Sequence, residues 1–292
     1  MIATSLTATP GLAWGEKGHT ISSEAATLTL PTDMPRFFYE AFPDLIWLAN
    51  DPDRWRGAGE SLDNVNPPEH FLNYEYVAGL DLPRQRFKFV DQLYKRGMLR
   101  RYGIVNTTTG FLPWRVAELC DRLTNEWRQW RFSTPDSTER RNIERDIIRD
   151  AGILGHYVAD GANPLHATLN YNGWVLPNPN RYANDCRIHA RFETEFVTHA
   201  VDTSDVVPNV ARPQLRTDYF TTEMDFLRRS NAQVEALYRI DRHGGFDIFR
   251  PIDPRAKQFA VERIASGSSL LRDLWWSTWK SSADPPKRGS VE

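Results

Sequence analysis

The segment HYVADGANPLHATLN, from His156 to Asn170, sets two of the chain's seven histidines around one aspartate. His156 and Asp160 are four residues apart. On a helix that spacing sends both side chains off one face, one turn apart, where an imidazole and a carboxylate can share a metal ion. His166 follows Asn163-Pro164-Leu165, and the proline stiffens a turn that could return a second imidazole to the same pocket. HARFE repeats the arrangement, with His189 and Glu193 again at i and i+4 beside an apolar stripe of Ile188, Phe192 and Phe196. One such pair alone is more often an ordinary hydrogen-bonded pair; two pairs, with a further histidine beyond the aspartate, point to metal. Nitrogen and carboxylate donors suit zinc, whereas calcium would prefer an all-oxygen cage.

The elements that must position these residues read as helices. Asp136-Ser137-Thr138-Glu139 resembles a capping box, and Ile143, Ile147, Ala151, Leu154 and Val158 fall on one stripe behind it. A helix from about Asp136 to Gly161 follows. His156 and Asp160 lie roughly opposite that stripe. The nearby Gly152 and Ala159 are small, which predicts a helix buried on both sides with room for a polar pocket. Helices are also predicted over Thr20–Leu28, Pro83–Gly97, Leu112–Arg131, Cys186–Ala200, Thr221–Ile240 and Arg255–Trp279, with loops at Asn64–Pro68, Leu176–Asn180 and Val206–Pro213. Alternating strand patterns are scarce, and no repeat or linker interrupts the chain. The expectation is a single mostly helical, all-α domain over residues 14–280, with a flexible tail over 281–292.

Composition narrows the function classes. The 292 residues are 40% hydrophobic and 25% charged with a net charge of −2, so the chain lacks the basic footprint of a protein that grips nucleic acid by phosphates alone. No run approaches the roughly 18 apolar residues of a membrane-spanning helix. The first thirteen residues, MIATSLTATPGLA, end in small residues at the −3 and −1 positions of a signal-peptidase site before Trp14. They read as the remnant of an export signal, and the expected location is secreted or periplasmic. Cys120 and Cys186 match no zinc-ribbon or redox spacing; they are either one bridge or two unrelated thiols.

HYVADGANPLH resembles the signature shared by zinc-dependent phospholipases C and the single-strand-specific nucleases of the S-one/P-one type, one all-helical superfamily with a three-zinc site. The resemblance runs over nearly the whole chain. WGEKGH, Trp14 to His19, is similar to the nuclease start, where a mature N-terminal tryptophan supplies its amine and carbonyl oxygen to a zinc. PDRWR resembles the family's aspartate and arginine, giving Asp53 and Arg56, with Asp51 a poorer candidate. EHFLN gives His70 and, beside it, Phe71. The resemblance implies one zinc on Asp53, His70, His156 and Asp160, and a second on His166, His189 and Glu193. A third would take Trp14, His19 and a bridging oxygen of Asp160. His199 and His243 receive no role.

Such a cluster implies hydrolysis of a phosphodiester by a metal-activated hydroxide, with Asp53, Arg56 and Asp160 as the catalytic residues and Arg56 on the equatorial oxygens of the transition state. The leading expectation is a monomeric nuclease acting on single-stranded DNA or RNA, with Phe71 either stacking on a base or packed as core. The alternative is a phospholipase C acting on phospholipid head groups. Several positions depart from the nucleases: Asn163 replaces a usual glutamine, Asn170-Tyr171-Asn172-Gly173-Trp174 replaces a glycine-glycine-asparagine turn, and the last carboxylate is Glu193, as in the phospholipases, rather than aspartate. Asn73 stands where the nucleases place an aspartate beside the base, and Asn170 completes a phospholipase-like frame. Phe71, Asn73 and Asn170 are the expected substrate contacts. Tyr171, Trp174 and Tyr182 either wall the substrate or pack inward. A third possibility is a noncatalytic protein in which metals only staple the helices.

Overall fold

The computed structural model describes residues 14–98, 100, 103–175 and 177–285, so the expected export remnant, Leu176 and the end of the tail lie outside the described residues. Among the described residues there is no strand, only an isolated bridge between Leu72 and Gly110. The fold is all-α, as expected. Its main helices are α1 (Gly15–Leu28), α2 (Phe42–Leu48), α3 (Leu112–Phe132), α4 (Thr138–Ala162), α5 (Tyr219–Asn231), α6 (Val234–Arg242) and α7 (Pro254–Ser281).

Helix α4 is the axis of the molecule. Ser137 caps it, its side chain accepting from the Arg140 amide, which satisfies one of the unpaired donors of the first turn. Every residue from Asp150 to Ala162 is buried. The predicted stripe faces α3 and α7, and Trp275 of α7 donates its indole N–H to the Ala151 carbonyl. Two apolar clusters meet along this helix. Leu154, Tyr157 and Val158 belong to one, with Trp114, Trp127 and Trp275; Ala159 belongs to the other, with Trp14, Phe192, Phe196 and Phe259. The C-terminal turn of α4 therefore carries its polar side chains between two dry cores.

The small residues of α4 have a different use from the one expected. A Cβ at Gly152 would lie 2.4 Å from Leu48 Cβ, and one at Gly155 would lie 3.1 Å from Ser23 Oγ. The space they free is filled by neighbouring helices rather than left for a ligand, because close helix approach buries more surface. Gly152→Ala should therefore cost roughly 1–3 kcal/mol in a urea denaturation series, since the clash at Leu48 must be relieved by moving α2. A stability equal to wild type would contradict that packing.

Two predicted helices break where tertiary contacts compete. Thr221–Ile240 is two helices, α5 and α6, separated at Ala232 and Gln233. Ser230 Oγ donates to the Gly161 carbonyl and Asn231 Nδ2 to the Ala167 carbonyl. These bonds pin the end of α5 to α4. Phe226 and Leu227 then bury in the first cluster, and after the turn Val234, Leu237 and Tyr238 bury in the second. The helix predicted from Cys186 starts instead at Ile188, since Cys186 adopts φ 57°. It continues as a π-type turn, Ala190–Phe196, and a short α-helix, Val197–Ala200. The stretch predicted over Pro83–Gly97 is helical over Arg86–Lys95. Residues 281–285 pack back on α3, with Arg131 Nε donating to Ser282 Oγ. Both thiols are free: Cys120 is buried within α3, where burial pushes its thiol well up, and Cys186 is exposed. No described helix is long and apolar enough to cross a membrane.

Candidate metal centre

The ligand candidates come from five separate stretches of chain. His19 sits on α1, Asp53 on the short helix Asp51–Arg54, and His70 ends a 3-10 turn, Pro67–His70. His156 and Asp160 lie on the last turns of α4, with His166 on the 3-10 turn Pro164–His166 behind it. His189 precedes the π-type turn that carries Glu193; such turns are rare and recur at functional sites. They form three groups whose donor atoms lie within 4.8 Å of one another: His19, Asp53 and His156; His70, His156 and Asp160; His166, His189 and Glu193.

Asp160 is at the centre. Its Oδ1 is 3.5 Å from His19 Nε2, and its Oδ2 is 3.4 Å from His156 Nε2 and 3.7 Å from His166 Nδ1. Asp53 Oδ1 lies 3.9 Å from His70 Nε2 and 4.0 Å from His156 Nε2. Asp51 turns away, paired with Arg54 at 3.1 Å. His199 and His243 are exposed and outside the cluster.

The tautomers follow from the backbone. Nδ1 of His70 faces the Asn66 carbonyl at 2.8 Å, that of His156 the Ala49 carbonyl at 2.9 Å, that of His166 the His70 carbonyl at 2.6 Å and that of His189 the Tyr171 carbonyl at 3.1 Å. A carbonyl only accepts, so each Nδ1 carries the proton and each Nε2 is left with a lone pair aimed inward. Those four Nε2 atoms, both Asp160 oxygens and Glu193 Oε1 are buried without a hydrogen-bond partner. His189 Nε2 lies 2.8 Å from Glu193 Oε2, so in the absence of a cation a proton on this nitrogen is shared with the carboxylate, the place a metal ion would otherwise take. A shell of buried acceptors in which Glu193 Oε2 has donors, from Trp14 N and Asn163 Nδ2, but Asp160 has none is what a cation stabilises and what a proton must otherwise occupy.

Charge balance agrees. Burial, reinforced by Arg56 and neighbouring imidazoles, holds His70 and His156 well below the usual histidine range, and burial lowers His166, so all three are neutral at pH 7. Burial opposes charge on His189 too, but Glu193 outweighs it and raises that imidazole. For Glu193 burial is likewise overcome, chiefly by His189, and its carboxyl is lowered. Burial, together with the like charges of Asp53 and Glu193, pushes Asp160 well above the carboxylate range. Asp53 is pushed up to about 6 by burial, against the pull of Arg56. Metal binding must displace the Asp53 proton below that pH, so affinity should fall as pH falls. Zinc titrations at pH 7.5 and 5 should differ by about tenfold or more from this group alone. An affinity independent of pH over that range would count against Asp53 as a ligand.

The third implied zinc fits less directly. Trp14 is buried, with φ 27°, and its main-chain N donates to Glu193 Oε2 at 3.0 Å while its carbonyl accepts from Gly18 N at 3.1 Å. A peptide nitrogen has no free lone pair, so within the continuous chain it is a donor and turns to a carboxylate. This places Trp14 on the His166–His189–Glu193 side, whereas His19 groups with Asp53 and His156.

The expected substrate residues have structural partners. Asn73 Nδ2 donates to the Thr108 carbonyl at 2.6 Å. Asn170 is buried, accepting from Val175 N and contacting Thr168 Oγ1. Phe71 is half-buried and its carbonyl accepts from Leu112 N. Tyr182 and Trp174 pack inward around Tyr238, and Tyr171 is exposed beside His189. Asn163 is a positioning residue that spacing alone did not single out: its Nδ2 donates to Glu193 Oε2 at 2.9 Å while its Oδ1 accepts from Leu165 N, so one side chain fixes both the carboxylate and the His166 turn. An asparagine before proline at a helix end was the available signal.

No protein-family profile matches the chain, and no curated protein matches it by sequence. Among solved structures, the chain is similar to the alpha toxin of Clostridium absonum at 12% identity with a TM-score of 0.49, covering 93% of this chain and 67% of that one. It is also similar to the Clostridium perfringens alpha-toxin from an avian strain, at 14% identity with a TM-score of 0.48, covering 94% of this chain and 66% of that one. The chain thus spans about two thirds of the length of each.

Proposed function

We propose that the protein is a metal-dependent phosphodiester hydrolase of the phospholipase C type, holding zinc in the cluster around Asp160. The observation that carries this reading is the convergence of buried atoms without hydrogen-bond partners: Nε2 of His70, His156 and His166, both Asp160 oxygens and Glu193 Oε1, with His189 Nε2 beside them. His166, His189 and Glu193 would hold one ion; Asp53, His70, His156 and Asp160 a second; His19, with Asp160, would serve a third. Bound zinc supplies Lewis-acid polarisation of the phosphoryl group and acidifies water.

The chain's own groups do the remaining work. Arg56 spends its Nε on Asp53 Oδ1 at 2.8 Å, and its two terminal nitrogens remain for the oxygens of a phosphoryl group. Its side chain is about one fifth exposed, at 21%, whereas His70, His156 and Asp160 beside it are buried, so it is the part of the cluster a substrate could reach from solvent. The neutral imidazoles keep the interior from repelling cations. Glu193, tied to Trp14 N and Asn163, is held rigidly in one orientation.

Two observations favour a lipid head group over a nucleotide. Asn73 and Asn170, the polar side chains that would have read a base, are engaged in bracing loops. Exposed apolar side chains flank the ligand-bearing turns, Val65 at the end of the helix Glu60–Val65 and Tyr171 and Val175 after the His166 turn, suited to an apolar aggregate. Incubating the zinc-loaded protein with phosphatidylcholine vesicles and, separately, with single-stranded DNA and RNA decides between substrates. Release of a phosphorylated head group is the expected result; cleavage of the nucleic acids with intact vesicles would reverse the assignment to a nuclease.

A further inference from the structure

Away from the metal centre, the segment 207–216 runs as a strap along α7. Ala211 N donates to Ser269 Oγ, Gln214 N to Asp273 Oδ1 and Arg216 N to Ser277 Oγ, while Arg272 donates to the Ala211 carbonyl. Between the strap, α5 and α7 lies a cavity of about 370 Å3 that none of the chemistry above uses. Three arginines from three separate stretches line it: Arg216 from the strap, Arg229 from α5 and Arg263 from α7, with hydroxyls from Thr222 and Ser266 between them.

The arginines are not spent on structure equally. Arg216 is held by Asp273, with Nη2 to Oδ2 at 2.8 Å. Arg263 is different: its Nε is buried without a hydrogen-bond partner, and burial lowers its guanidinium from the usual value. Among the described residues Arg229 has no ion pair and makes only a distant cation–π contact with Phe226. The nearby carboxyl of Glu223 does not neutralise it, because burial pushes that group up to about 8 and it is mostly protonated at neutral pH. Glu262 stands at the exposed rim and accepts from Gln258 Nε2 at 2.9 Å. The wall thus carries three guanidinium groups against the single carboxylate of Glu262, which partly offsets Arg263, and the unpaired buried Nε of Arg263 costs roughly 1–3 kcal/mol until a ligand satisfies it.

We infer that this cavity is a binding site for a small phosphate monoester, distinct from the metal centre. Planar guanidinium forks and hydroxyls match tetrahedral phosphate oxygens, and a dianion balances the excess of three guanidinium groups over one carboxylate in the lining. The volume exceeds what an inorganic ion needs and falls in the range of small-molecule sites. Phe226 and Leu270, also on the wall, offer an apolar surface to the organic part.

The test is calorimetric titration of glycerol 3-phosphate into the zinc-loaded protein, run on wild type, Arg263→Gln, Arg229→Gln and His166→Ala. Because a phosphate can also reach the metal centre, the His166 variant separates the two sites. Binding that survives in His166→Ala and weakens at least tenfold in an arginine variant supports the pocket. Arg229 is exposed, so its variant reports even if the Arg263 change disturbs folding. Affinity unchanged in both arginine variants, loss in His166→Ala alone, or no binding to wild type overturns it.

Discussion

Replacing Asp160 by asparagine is expected to abolish hydrolysis, by a factor of about 10³ or more (about 4 kcal/mol in the barrier), while making the chelator-treated protein more stable. The two effects have one cause. Asp160 is fully buried, both its oxygens lack hydrogen-bond donors, and Asp53 and Glu193 add like charge. Without a cation, that site carries an unfavourable concentration of acceptors, and its carboxyl is held well above the usual range. The folded state therefore binds a proton that the unfolded state has released. Above the unfolded value of 3.8, stability of the metal-free protein falls as pH rises through the window up to the raised folded value. The neutral amide of Asp160→Asn would remove that slope and add on the order of 1–3 kcal/mol at neutral pH, read as a higher thermal midpoint in chelator. With zinc present the order should reverse, since wild type gains ligand-binding stabilisation that the variant cannot. A variant that stays active, or one destabilised equally with and without metal, would remove Asp160 from the centre of the site.

The ease with which this site could be read differs sharply between residues. His156 with Asp160, and His189 with Glu193, were visible because a helix converts a four-residue spacing into a shared face. The buried stripe from Ile143 to Val158 and the Ser137 cap were visible for the same local reason. Asp53, His70, His19 and Trp14 carry no local signal. They lie on three different segments, with Trp14 and His19 together at the start of α1, and only the resemblance pointed to them; their convergence is a product of tertiary packing around α4. What spacing could not show at all is the set of carbonyls on Asn66, Ala49, His70 and Tyr171 that orient the four imidazoles, because main-chain acceptors leave no mark on residue identity. The same limit explains the missed break at Ala232–Gln233. Hydrophobic periodicity continues through that turn, and the bonds from Ser230 and Asn231 to α4 and the loop after it overrule it.

The arrangement also explains why the functional end of α4 needs two cores. Tyr157 and Val158 anchor it in one and Ala159 in the other, so the imidazole and carboxylate between them have little freedom to relax towards water. A pocket rich in lone pairs is tolerable only on such a rigid support, since a looser one would let water enter and satisfy the acceptors without a metal.

Arg56 offers the sharpest separation of metal binding from turnover. Its Nε contact to Asp53 Oδ1 holds a proposed ligand, and its charge lowers the Asp53 carboxyl against the effect of burial. Its terminal nitrogens are the part available to substrate. Arg56→Lys keeps a positive charge near Asp53 but lacks the planar fork, so zinc content should stay close to wild type while kcat falls about 10²–10³-fold. Arg56→Ala removes the charge as well. Asp53 then takes up a proton more readily, and zinc affinity near pH 6 should drop in this variant but not in the lysine one. Comparing metal content and kcat for the pair at pH 6 and pH 8 distinguishes the roles, because raising the pH should restore metal to Arg56→Ala without restoring its turnover. Full activity in Arg56→Lys would reduce Arg56 to a salt-bridge partner of Asp53 and leave the phosphoryl oxygens without a protein donor at the mouth of the site.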